Sequence, residues 1–214
     1  MANITGSPRQ PPNHLLSLKA AEELFQPYRS LLSECIRSAW DAWETFYKPR
    51  HHVLRSRSRA NILYDEIVFN VGQKFSMLPN VVFKPFRTSF LLYLGDLAVV
   101  RFKKFRKDGL CSNVRTHQQN LFQLQMELPG IESGTMFQAG YFLDHLQQKI
   151  ARMAIVCQYG KRVLYTIELL GDIATAIEIN PAPIAEPPKK DRFELKPETI
   201  SKSEKGKKHT RKGG

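Results

Sequence analysis

Residues 88–110 restrict the possible folds of this 214-residue chain more than any other stretch. Two apolar runs, 88–94 and 97–100, flank Gly95-Asp96, a pair that tolerates the positive φ of a two-residue turn between antiparallel strands. A β-hairpin over 88–104 is predicted. Its second strand is apolar at consecutive positions from Leu97 to Val100, a pattern of burial on both faces. It then carries Arg101, Lys103, Lys104, Arg106 and Lys107. A buried strand therefore runs straight into a cationic end, beside which Phe102 and Phe105 offer rings for stacking on unpaired bases.

Upstream of the hairpin the spacing is helical. Residues 15–25 suit a short helix, and Pro27 falls where a proline is tolerated, in the first turn of a second one. From Tyr28 to Tyr47 apolar residues recur every three or four positions, including Trp40, Trp43 and Phe46, which predicts an amphipathic helix ending before Pro49. Residues 48–59 hold five Lys/Arg and no acid. A further helix starts in or just after this block, with Ala60, Leu63, Tyr64, Ile67, Val68 and Val71 on its inner side. Arg55 and Arg59 stand one turn apart, a spacing suited to neighbouring phosphates, and Arg57 lies between them.

Downstream, residues 116–126 read as a helix with Leu121, Phe122, Leu124 and Gln125 near the core side and Gln118, Gln119 and Gln123 outside. Residues 135–143, 150–158 and 162–169 read as three antiparallel strands, the last two joined at Gly160. With a strand over 81–86, the chain is expected to be α+β: N-terminal helices packed on a mainly antiparallel sheet with one further helix. The organisation is a disordered leader over 1–14, an N-terminal helical segment over 15–50, an α+β domain over 51–179 and a disordered basic tail over 180–214. Residues 201–214 alone contribute +5 of the net +12, through six Lys/Arg that include Lys207, Lys208, Arg211 and Lys212.

The order helix, three strands, helix, strands resembles the αβββαβ core of the PD-(D/E)XK nuclease fold over residues 55–145. That resemblance implies a metal held by an acid on one strand and an acid-x-Lys on the next, with Asp96, Lys103 and the helix acid Glu66 as the positions available. Arg101 stands two residues before Lys103, where the acid is required, so the implied site is degenerate.

Other enzyme classes lack their parts. The chain has no Gly-x-x-x-x-Gly-Lys-Ser/Thr loop, Gly-x-Ser-x-Gly elbow, His-Glu-x-x-His helix or Cys-x-x-Cys pair. Adjacent His51 and His52 point apart on a helix and gain no third donor nearby, so neither metal nor cofactor is expected. Three widely separated cysteines, the absence of a charged-then-apolar leader and the lack of an apolar run of about 20 residues fit a cytoplasmic protein without a transmembrane segment.

A net charge of +12 favours an anionic partner. The leading expectation is a non-catalytic protein that binds DNA or RNA through phosphate contacts from Arg55, Arg57, Arg59, Arg101, Lys103, Lys104, Arg106, Lys107 and the tail. The alternatives are a protein-interaction component of a bacterial regulatory, toxin-antitoxin or phage-defence system, docking through the Trp40/Trp43 helix face, and a metal-dependent nuclease with the degenerate site above.

Overall fold

The structure, a computed structural model, describes residues 11–12, 14–111, 116–130 and 134–169, all within the unit Met1–Asn180; at Arg50 and His51 it describes the backbone alone. The tail cations Lys207, Lys208, Arg211 and Lys212 lie outside the described residues, as do most of the leader and the tail itself.

Helix α1 (Leu18–Phe25) begins at Ser17, whose hydroxyl accepts from the Ala20 N–H at 3.3 Å. A 3-10 turn carrying Pro27 leads into α2 (Arg29–Ala42). The chain then widens into a π turn over Trp43–Tyr47 and tightens into a 3-10 turn over Lys48–Val53 before α3 (Ser56–Phe75). The π turn corrects the expected helical face. It shifts the rotational phase of the last residues, so Phe46 is turned out to solvent at 72% exposure while Trp43 enters the core at 3%.

Six strands form one sheet in sequence order: β1 (Val81–Phe86), β2 (Ser89–Leu94), β3 (Ala98–Phe105), β4 (Thr135–Leu143), β5 (Ile150–Tyr159) and β6 (Arg162–Glu168). Neighbours are antiparallel except β3 and β4, which run parallel because α4 (His117–Gln123) lies on the crossover between them. The fold is α+β, N-terminal helices followed by a mostly antiparallel sheet, and its order agrees with αβββαβ from α3 onward. Pro85 is tolerated because β1 is an edge strand.

Alternation along β3 divides its side chains between two faces. Ala98, Val100 and Phe102 join the main core with Leu32, Ile36, Leu63 and Ile67 of α2 and α3. Val99 packs with Leu91 and Tyr93, and Phe105 with Phe142 and Val156, on the other side. Consecutive burial runs from Ala98 to Val100; Leu97, expected inside, belongs to the turn and is 54% exposed. The helical segment over 15–50 shares its core with the sheet, since Phe25 meets Phe137 edge-on at a centroid distance of 4.9 Å.

On the opposite face Gln125, left-handed at φ 54°, ends the α4 region and ties it down. Its Nε2 donates to the carbonyls of Met136 (2.8 Å) and Gln158 (2.9 Å), and its Oε1 accepts from the Met136 N–H at 2.8 Å. Among the described residues no helix is long and apolar enough to cross a membrane.

Candidate nucleic-acid interface

The ladder between β2 and β3 stops early. It pairs Leu92, Tyr93 and Leu94 with Val100, Val99 and Ala98, whereas β3 continues to Phe105 and pairs with β4 along its whole length. Ser89–Leu91 and Arg101–Lys104 therefore part, and a cleft of about 580 Å³ opens between them, roofed by α3 from Ser56 to Ile67. The Phe90 N–H donates to the Tyr64 hydroxyl of α3 at 2.9 Å, holding the β2 side of the gap. At the far end a bridge between Phe105 and Cys111 closes the β3 edge.

The parting coincides with the cationic run of β3, where a closed sheet would bury Arg101, Lys103 and Lys104 further at a cost for each unpaired charge. An open gap lets water reach all three, which are half-buried.

Arg57, Arg101, Lys103, Lys104 and Arg106 line this cleft, and its lining contains no carboxylate. Arg101 donates to Gln119 Oε1 of α4 at 2.8 Å and lies over the Phe122 ring, 4.9 Å from its centroid. Lys104 donates to Gln147 Oε1 at 3.1 Å, and Arg59 donates to the same oxygen at 3.1 Å and to the Gln147 carbonyl at 2.7 Å. These partners are neutral. Lys103 has no hydrogen-bond or ion-pair partner among the described residues. Burial lowers the pKa of all three strand cations from their ordinary values, with the Arg101 charge adding to the effect at Lys103 and that of Arg59 at Lys104. Arg106 is the exception, since it forms an ion pair with Asp108.

The structure brings together only part of the predicted set. Arg57 of α3 and the β3 cations line one cleft, Lys104 on the α3 side of the strand and Arg101 and Lys103 on the other, and Arg59 reaches the same region through Gln147. Arg59 does not pair with Asp65 or Glu66; Glu66 instead accepts from the Tyr47 hydroxyl at 3.1 Å. Arg55 and Lys107 are exposed and stand outside the cleft lining. The rings expected to stack on bases are unavailable, because Phe102 and Phe105 are both core residues. Trp43 is likewise withdrawn from the proposed partner face: it stacks on Tyr47 with Arg59 over its ring.

The helical spacing predicts Gln119 on the outer side of its helix, yet it is 6% exposed. The reason is Arg101, whose guanidinium needs an acceptor at that depth. Tyr64, Ser89 and Gln147 also line the cleft and had no signal of their own in the sequence, because their role depends on where the strands part.

The metal-site arrangement implied by the nuclease resemblance is not assembled. Asp96 sits in the turn at the opposite end of β3 from Lys103, about 20 Å away at the rise of an extended strand. Among the described residues no group of three His, Cys, Asp or Glu is placed to hold a metal. His52 is exposed; Asp144 caps its own loop by accepting from the Gln148 and Lys149 N–H groups, beside exposed His145.

Comparison of the chain with protein-family models, with curated proteins and with solved structures finds no match.

Proposed function

We propose that this protein binds nucleic acid through phosphate contacts in the β2–β3 cleft, without catalysing a reaction there. The observation that carries the reading is a cleft lined by five cations and no carboxylate, four of them lacking an acidic partner among the described residues. A positively lined recess with apolar walls concentrates anions and gives binding that weakens steeply with salt. Arg57 at the mouth and Lys104 with Arg59 at the side extend the positive surface beyond the recess, as a backbone of repeated phosphates requires. The basic tail adds a sequence-independent contribution.

The test is a titration of the full chain, and of a version ending at Asn180, against single-stranded and duplex DNA and RNA at several salt concentrations. Neutralising three or four phosphates gives a slope of log K against log salt of about −2 to −3 on a single strand. Replacing Arg57, Lys103 and Lys104 together with Gln is expected to flatten that slope in both versions. Absence of binding to all four nucleic acids, or a slope unchanged by the triple substitution, refutes the reading.

A further inference from the structure

The cleft combines three features that ordinary tracking of a phosphodiester backbone does not need. It is a gap between two strands rather than a groove on a surface, and its volume of about 580 Å³ is that of a small-ligand site. A duplex is wide enough to admit a whole α-helix into one of its grooves and is too broad to enter a space opened between neighbouring strands, whereas one nucleotide at the end of a strand can. Its charges are also concentrated. Arg101 and Lys103 stand two positions apart on the same face of β3, with no carboxylate lining the cleft around them.

The third feature lies behind Arg101. A cavity of about 110 Å³ shares Thr88, Ser89 and Arg101 with the cleft and is also lined by Gln119. The Gln119 carbonyl oxygen is taken by Arg101, but its Nε2 is buried and lacks any partner among the described residues. A buried donor left unmade is costly, and here it accompanies two cations that also want acceptors. The cleft thus presents Arg101 and Lys103, the adjoining cavity adds the Gln119 donor behind Arg101, and neither space is lined by a carboxylate.

An internal phosphodiester carries a single negative charge, whereas a phosphate monoester carries about two near neutral pH and has three free oxygens. The second species matches the two charges of Arg101 and Lys103, and Gln119, which accepts from Arg101, holds that guanidinium in place. We propose that the cleft is a receptor for the phosphorylated end of a single strand, with the terminal phosphate on Arg101 and Lys103 and the following diesters running out past Lys104 and Arg57. This inference rests on the nucleic-acid reading above and narrows it to one chemical feature of the ligand.

The experiment measures equilibrium binding of the full chain by fluorescence anisotropy to short single strands of one sequence in four forms. These carry a 5′-phosphate, a 3′-phosphate, hydroxyls at both ends, or no end because the strand is circular. At least one phosphorylated form is expected to bind at least tenfold more tightly than the hydroxyl-ended and circular forms, and which one gains tells the 5′ from the 3′ end. The advantage is expected to shrink to within twofold in Lys103→Met and in Gln119→Leu. Lys103→Met breaks no ion pair and so keeps the test independent of folding. Equal affinity for all four forms overturns end recognition while leaving nucleic-acid binding intact. No binding to any of the four overturns end recognition, and overturns the nucleic-acid reading as well when duplex DNA and RNA also fail to bind.

Discussion

Lys103→Met should make the protein more stable while weakening its ligand binding. Lys103 is half-buried on β3 and has no hydrogen-bond or ion-pair partner among the described residues, so its ammonium loses hydration on folding and gains no such bond in return. Met keeps the length of the side chain and removes the charge. The expected gain at neutral pH is about 1 kcal/mol, the usual scale for relieving a strained functional position, which corresponds to about 2–4 °C in Tm for a chain of this size. The pH dependence separates this cause from better packing. Burial holds the folded-state pKa of Lys103 below its ordinary 10.5, so between that lowered value and about 10.5 the unfolded chain binds more protons and the wild-type protein gains stability as pH rises. The variant lacks that gain. The difference in Tm between variant and wild type is therefore largest near pH 7 and narrows towards pH 10.5, while effects of Tyr and Cys ionisation cancel in the comparison. Thermal unfolding followed by circular dichroism in phosphate-free buffer measures it. A variant less stable than wild type, or a gap that stays constant with pH, refutes the claim that an uncompensated charge lies in the cleft.

Two further predictions follow from the same framework. Gly140 of β4 is opposite Lys103, and a Cβ there would lie 1.7 Å from the Lys103 carbonyl oxygen, so Gly140→Ala must force the central parallel strands apart. Overpacking and stretched ladder bonds together are expected to cost about 3 kcal/mol or more by urea denaturation; a loss below about 1 kcal/mol would show that the backbone yields easily. All three cysteines are buried, which pushes the Cys35 thiol up to about 11 and those of Cys111 and Cys157 up to about 12. A thiol reagent at pH 8 should therefore modify none in the native protein and all three in denaturant, and rapid native labelling of Cys111 would contradict the closed end of the cleft.

Much of the fold is legible in residue spacing, and the candidate site is only half so. Leu63, Ile67, Val71 and Phe75 recur every four positions and mark α3 without ambiguity, and Gly95-Asp96 between apolar runs marks the β2–β3 turn. Local patterns of this kind depend on near neighbours. The parallel pairing of β3 with β4 depends on a crossover through α4, which no short-range pattern encodes. The cationic run from Arg101 to Lys107 reads as one patch, but the strand's alternation sends Lys104 towards α3 and Arg101 and Lys103 to the other side, while Phe102 and Phe105 go to the core. Phe46 and Gln119 were misplaced for different reasons: a π turn rotates one outwards, and a buried guanidinium draws the other inwards.

The early end of the β2–β3 ladder has one more consequence. Only three residue pairs join the outer hairpin of β1 and β2 to the four remaining strands, fewer than at any other seam of the sheet. An aperture framed on both long sides by regular strands takes its width from backbone geometry and not from the excursions of a loop. A guest of the kind proposed would meet a shape that exists before it arrives, so little ordering entropy would be lost on capture.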